Sequence, residues 1–327
     1  MYLLRRLGFY ALAAFVAVSV NFFLPRLAPG DPASTMFANY STQLTPAALD
    51  GLREAYGLTD DPLVVQYGRY LWALLHGDLG VSLSQFPSPV TDVIATGLGW
   101  SILLGVVSVA ASFVIGCALG AVAAWRRSGI VDRVAPPSLI FVGSFPYFFL
   151  ALLLMYLLAF DWGVFPLGHA YDDGLEPALT LEFAGSVATH LALPVFTIVL
   201  VSVGSWTLNM RNAMVGVLSE DYLTLAEAKG LAPRHILLRH AVRNALLPNV
   251  TMLGMAVGMV FSGQILTEIV FSYPGLGFLL LQAVTTVDYP LMQALFLIIT
   301  LSVLAANFIV DSLYALLDPR VRQVVAA

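Results

Sequence analysis

Six long stretches without charged residues divide the sequence into regular blocks. They cover residues 7–25, 93–125, 134–160, 183–210, 244–267 and 289–310, and the fourth also contains His190. A helix that crosses a hydrocarbon core about 30 Å thick needs about 20 largely apolar residues. Each stretch can therefore hold one membrane-spanning helix. The pattern predicts an all-α integral membrane protein with six transmembrane helices.

Two apolar stretches have an alternative interpretation. Residues 7–25 follow two arginines, as in a secretory signal, but they end in the bulky residues 21–25, where a signal peptide has a small-residue cleavage site. We therefore expect a retained first helix. Residues 269–287 are also uncharged, but turn residues at 272–277 interrupt them. We expect an exit loop there and not a seventh span.

Arginine and lysine are distributed unevenly between the two sides that six spans define. Twelve fall in one set of termini and loops, and only Arg26, Arg53 and Arg69 fall in the other. Because positive charge concentrates in cytoplasmic loops, both termini and the loops near residues 130 and 225 are predicted to be cytoplasmic. The extracytoplasmic segment 25–95 contains two helical patterns, Pro46–Tyr56 and Asp61–Leu75.

The second predicted cytoplasmic loop, residues 211–245, has the pattern of two short helices joined by a tight turn. Ser219 or Asp221 can cap the first helix, and Lys229 at its end suits the helix dipole. Gly230 suits the left-handed closing residue, and Pro233 can begin the next helix. A rigid projection of this kind could dock in a groove on a soluble partner. The alternative is an amphipathic elbow whose arginines contact anionic lipid.

Composition and charge narrow the classes of function. The chain is 59% hydrophobic and 11% charged, whereas a soluble domain carries about 25% charged residues. No basic stripe is present, which argues against nucleic-acid binding. A phosphate-binding P-loop needs Gly-Lys followed by Ser or Thr, but the only lysine, Lys229, follows Ala228. We therefore expect no cofactor in this chain and no enzyme activity of its own.

Several residues within the spans are candidates for the pathway or for structural roles. Glu268 is the one carboxylate set within a span sequence, near its external end. It could have a capping or gating role there, or it could contact the substrate. Met255 and Met259, in a glycine-rich fifth span, could line the pathway or serve packing. His235 and His240 are five residues apart, on different faces of an α-helix, which suits no zinc motif. An ion-coupled secondary transporter, the alternative function, would normally place carboxylates near mid-bilayer, and the span centres lack them.

Five short motifs in order resemble the permease subunits of bacterial ABC importers of the oligopeptide, dipeptide and nickel family. The segment containing Asp221-Tyr222, the run 226–231 and the run 240–248 resembles the ATPase-coupling "EAA loop" of that family. Residues 27–32, 76–80, 267–277 and 317–322 resemble four further family motifs. With Gly230 aligned to the family glycine, the family's glutamate falls at Thr224, and the acidic residue present is Glu227.

The resemblance implies a single permease domain, residues 1–327, with the type I importer fold in a bacterial or archaeal inner membrane. It implies a second and related permease chain, two ATPase subunits that bind ATP and magnesium, and an external solute-binding protein. Peptides are the expected substrates, with oligosaccharides or nickel chelates as alternatives. The implied coupling residues are Glu220, Asp221, Tyr222, Thr224, Ala226, Glu227, Ala228, Lys229, Gly230 and Leu231.

Overall fold

The computed structural model describes residues 2–27, 61–82, 84–260 and 264–317. The side chains of residues 2–5, 24–27, 257–259, 310–311 and 313–317 are outside this description. The expected helix Pro46–Tyr56 and the motifs at 27–32 and 317–322 therefore lie outside the described residues, wholly or for the most part. Over the described ranges the secondary structure is helical, apart from one isolated bridge between Val81 and Pro89.

The helices follow the order of the apolar stretches. They are α1 (Tyr2–Leu27), α2 (Leu63–Leu75), α3 (Val90–Trp125), α4 (Ile130–Gly143), α5 (Tyr147–Leu154), α6 (Leu181–Leu218), α7 (Asp221–Ala228), α8 (Pro233–His235), α9 (Val242–Val260), α10 (Ile265–Val270), α11 (Leu276–Thr285) and α12 (Tyr289–Leu317). Two π-helical segments extend this order: Met155–Asp161 continues α5, and Ile236–Ala241 joins α8 to α9. The prediction of an all-α protein is thus confirmed for the described part.

Four helices in the described ranges are long and apolar enough to cross a membrane: α1, α3, α6 and α12. The expected single span 134–160 is instead two helices, α4 and α5, which meet at an angle of 96°. The break falls at residues 144–146, because Pro146 has no amide hydrogen and disfavours helical geometry at the residue before it. The pair makes a fifth span if it crosses the membrane as a unit. A count of six stays a prediction.

The expected exit loop at 269–287 was wrong for most of its length. The turn residues occupy only the first part, and a ten-residue helix, α11, begins directly after Gly275. Leu276, Leu279 and Ala283 of α11 are buried in one cluster with residues of α3 and α12, including Val90 and Leu295. The hydrophobic side chains that made this stretch apolar therefore fill a core.

The described residues form two compact units. The first contains residues 1–101, 261–265 and 274–327. In it α1 and α12 are joined by the paired amides of Asn21 and Gln293, each donating to the other's backbone carbonyl. Asp288, which is fully buried, precedes α12 and accepts hydrogen bonds from the hydroxyls of Ser82 and Ser84 at 2.6 and 2.8 Å. This carboxylate fastens the segment after α2 to the start of the last helix.

The second unit contains residues 102–260 and 266–273 and is built around α6. Gly116 and Gly120 of α3 lie against α6 so closely that a Cβ atom on Gly120 would stand 2.4 Å from the carbonyl oxygen of Thr207. On another part of α6, a Cβ on Gly204 would stand 2.8 Å from the backbone of Leu139 in α4. Small residues let membrane helices approach at backbone distance, and here they bring two helices onto α6.

Candidate functional site

The candidate site is the segment between α6 and α9, residues 219–241, here called the coupling segment. The helix α7 begins after Glu220, whose backbone is extended (φ −80°, ψ 138°) and whose side chain makes no capping hydrogen bond. The expected cap by Ser219 or Asp221 was therefore wrong. The Ser219 hydroxyl instead donates backward to the Gly216 carbonyl at 2.7 Å and helps to close α6.

One edge of α7 is packed into the second unit. Leu223 and Ala226 are buried in a cluster with Ile236 and Ala241 of the π-helical segment and with Met214 of α6. Burial of a leucine side chain contributes about 1.5–3 kcal/mol relative to exposure. The coupling segment is thus fastened to α6 through an apolar cluster that it shares with α3 and α9.

The other faces of α7 and the turn after it are exposed. Of the ten residues predicted for coupling, only Ala226 is buried, and its part is to anchor the helix. The nine exposed residues are Glu220, Asp221, Tyr222, Thr224, Glu227, Ala228, Lys229, Gly230 and Leu231. Leu225 adds an exposed apolar side chain to the same helix. The structure therefore presents acidic and apolar groups on a short helix and a basic group, Lys229, in its closing turn, with Leu223 and Ala226 anchoring the helix from behind.

The turn after α7 has the left-handed geometry that the sequence predicted. Gly230 has φ +74°, its amide donates to the Glu227 carbonyl at 2.8 Å, and the Leu231 amide donates to the Ala226 carbonyl at 3.3 Å. This pair of bonds is the Schellman motif, which satisfies the last carbonyls of a helix. A Cβ atom at Gly230 would meet nothing within 4 Å, so the requirement for glycine comes from the backbone angle alone.

The second half of the coupling segment begins at Pro233, the first residue of α8, as predicted. Its continuation is π-helical over Ile236–Ala241, and a π-helix brings residues five apart onto one face. The rings of His235 and His240 therefore lie 5.6 Å apart. The expectation that these two histidines occupy different faces was wrong, because it assumed α-helical periodicity.

One contact across the coupling segment had no signal in the sequence. The side-chain amide of Asn244, in α9, donates a 2.7 Å hydrogen bond to the Tyr222 hydroxyl in α7. The two residues are 22 positions apart and both are exposed. Tyr222 is thus hydrogen-bonded to α9, the helix that enters the apolar stretch 244–267.

The candidate pathway residues are separate from the coupling segment in sequence. Glu268, in α10, is fully buried, and the backbone amide of the buried Tyr273 donates to its carbonyl oxygen at 2.8 Å. Burial raises the pKa of the Tyr273 hydroxyl, and the Glu268 carboxylate raises it further. Met255 is half-buried in α9, and the side chain of Met259 lies outside the described residues. A role for these three residues in the pathway stays a prediction.

Comparison with known proteins places the coupling segment in a family context. A family model described as the binding-protein-dependent transport system inner membrane component matches residues 116–323, which include the coupling segment and the helices on both sides of it. The chain belongs to this family. This permease is therefore a multi-pass membrane component of a binding-protein-dependent importer, a transport subunit and not itself an enzyme, and the family resemblance predicted from its motifs is confirmed.

Relatives of this permease match it from end to end. It is 32% identical to a dipeptide transport system permease protein of Escherichia coli K12 over 339 residues, with 98% of each chain covered. It is 37% identical over 324 residues to a glutathione transport system permease protein of Salmonella paratyphi A, again with 98% of each chain covered. A dipeptide permease protein of Lactococcus lactis is 31% identical over 324 residues. An importer of this kind works with an ATPase and a solute-binding protein.

Proposed function

We propose that this permease forms half of the membrane pathway of a peptide importer and that α7 is the part that docks in its ATPase. The observation that carries the proposal is the geometry of the coupling segment: a short exposed helix, closed by a Schellman turn and fastened from behind by Leu223 and Ala226. Such a helix can transmit a movement without bending. The names of the relatives, which include dipeptide and glutathione permeases, support peptides as the substrate class.

The assembly proposed here has six spans with both termini in the cytoplasm, a second and related permease chain, two ATPase subunits and an external solute-binding protein. The twelve-to-three distribution of arginine and lysine supports this orientation. ATP and magnesium would be bound by the partner ATPases, since the one lysine of this chain is outside any P-loop sequence. An ion-coupled transporter is not proposed, because family membership favours the importer.

The movement would pass from α7 into the membrane by two routes. The first is the apolar cluster that joins Leu223 and Ala226 to Met214 of α6. The second is the hydrogen bond from Asn244 of α9 to Tyr222. The exposed residues of α7 and of its closing turn would supply the surface that the ATPase grips, with Thr224 and Glu227 as the candidates for the acidic position of the family.

The test is a Gly230→Val substitution. A β-branched residue at φ +74° costs on the order of 1–2 kcal/mol, and relief of that strain would re-aim the turn. We expect the variant to insert and accumulate normally, to retain less ATPase in a pull-down, and to lose peptide uptake. Gly230→Asn, which tolerates the left-handed region, should be close to wild type, and Glu227→Ala should be milder than Gly230→Val.

Gly174 provides a matched control for strain. It has φ +91°, and a Cβ atom there, as at Gly230, would meet nothing within 4 Å, but it lies in the loop between α5 and α6. Gly174→Val should therefore carry similar strain and leave ATPase association unchanged. Normal association and uptake with Gly230→Val would rule out the coupling segment as the docking element.

A further inference from the structure

The helix α2 has two apolar faces, and only one of them is covered within the described residues. On the covered face, the rings of Tyr67 and Tyr70 lie 5.2 and 5.3 Å from the ring of Phe22 in α1. Tyr67 also stacks on Phe23 at 5.4 Å, and its hydroxyl is 2.6 Å from that of Ser19. These aromatic contacts attach α2 to the last turns of the apolar part of α1.

The opposite face of α2 is an exposed apolar stripe. Val64, Trp72 and Leu75 are 81, 67 and 82% exposed, and their spacing of eight and three residues, with Gly68 between them, places them along one side of an α-helix. Arg69 and His76, which are seven residues or about two helical turns apart, lie along one edge of this stripe. Arg69 is held there by an exposed ion pair with Asp61 at 2.6 Å. An apolar stripe with a charged edge is the pattern of a helix that lies in a membrane interface.

The position on α1 at which α2 is attached also indicates a membrane interface. The apolar window of α1 runs from Arg6 to Phe23, so the contacts at Ser19, Phe22 and Phe23 lie where the hydrocarbon part of the span ends. Tyrosine and tryptophan are enriched at this depth, because each has an apolar ring and a polar group. In this multi-pass membrane protein, the exposed side chains of Val16 and Val20 give α1 an apolar surface in the turns that precede these contacts.

We propose that α2 is an interfacial helix: it lies at the boundary between lipid headgroups and acyl chains, with Val64, Trp72 and Leu75 in the lipid. The partner of this face is the bilayer surface at the C-terminal end of α1. In that position α2 would fix the depth at which residues 76–82 lead to the buried Asp288 and to α3. A solute-binding protein and the second permease chain are the other possible occupants, and the experiment separates them from lipid.

The experiment uses the full transporter complex in liposomes, with the buried Cys117 replaced by serine. Spin labels are placed on single cysteines at Val64, Trp72 and Leu75, and on Arg69 as the matched position on the charged edge of the helix. The measurement is the accessibility of each label to oxygen, which partitions into lipid, and to a water-soluble nickel chelate. We expect the ratio of oxygen to nickel accessibility to be several-fold higher at the three stripe positions than at position 69.

Two outcomes would overturn the proposal. High accessibility to the nickel chelate at the stripe positions means that the face is in water. Low accessibility to both reagents means that protein covers it, and a change on addition of the binding protein would identify that occupant. A second measurement needs no cysteine substitution: lipids with brominated acyl chains should quench wild-type tryptophan fluorescence more strongly than that of Trp72→Phe, and equal quenching contradicts the proposal.

Discussion

At the scale of single residues, the coupling segment has one exposed hydrogen bond to α9, between Tyr222 and Asn244, in addition to its buried apolar contacts. Their hydrogen bond joins α7 to α9 over 2.7 Å, and both groups are exposed, so the bond contributes at the low end of about 0.5–1.5 kcal/mol. If this hydrogen bond is removed, the apolar cluster under α7 is still present. Loss of this bond should therefore affect transmission of movement more than folding.

We predict that Tyr222→Phe inserts normally and binds the ATPase, but imports less peptide for each ATP hydrolysed. The ring is kept and only the hydroxyl is lost, so packing should not change. The measurement is the ratio of uptake to hydrolysis in liposomes that contain the full complex. Asn244→Ala should have the same effect, and the double variant should be no worse than either single one. If the double variant lowers the ratio of uptake to hydrolysis by the sum of the two single effects, the two residues do not act as a pair.

At the scale of helices, local chemistry decided which boundaries could be predicted. Gly230 and Pro233 have one favourable backbone geometry each, so the turn and the start of α8 could be predicted from the residue types. The start of α7 could not, because Glu220 achieves it by its backbone angles and not by a side-chain bond. The π-helical segment, and with it the contact of His235 with His240, could not be predicted because the residue types of this segment carry no signal that distinguishes it from an α-helix.

The packing of α3 on α6 is a second feature of this scale, and a signal for it was present. Gly116 and Gly120 form the Gly-x-x-x-Gly pattern that lets membrane helices approach closely. Because the pattern names no partner helix, the sequence alone could not assign it to α6. In the structure, the backbone of Thr207 occupies the space that a side chain at position 120 would need.

We predict that Gly120→Ala destabilises the second unit by about 1–3 kcal/mol, the usual cost of overpacking. The nearest atom is a backbone oxygen at 2.4 Å, so the two helices must separate to accommodate the methyl group. The measurement is the thermal unfolding midpoint in detergent. Gly99→Ala on the same helix is the control, since a Cβ there meets nothing within 4 Å, and it should match wild type. Equal midpoints for both variants would contradict the close packing.

At the scale of the whole molecule, the sequence was more informative about the functional class of the protein than about its membrane topology. Low charge, long apolar stretches and ordered motifs sufficed to predict an importer permease, because each is a property of composition or of short segments. The path through the membrane depends on how helices bend. The 96° break between α4 and α5 can belong to a span that crosses or to one that turns back, and a single proline is compatible with both.

The last prediction decides between these two paths. Arg127 precedes α4 and Glu176 follows α5, and both are exposed. If α4 and α5 cross the membrane together, cysteines at these two positions lie on opposite sides; if the pair turns back, they lie on the same side. We expect a membrane-impermeant maleimide to label Glu176→Cys in intact cells and to spare Arg127→Cys and Lys229→Cys, all in the Cys117→Ser background. Both spared positions should become reactive once the cells are permeabilised. Labelling of both Arg127→Cys and Glu176→Cys from outside, or of neither, would mean that the pair is a re-entrant loop and that the six-span topology is wrong. Labelling of Lys229→Cys from outside would place the coupling segment on the side where no ATPase can reach it.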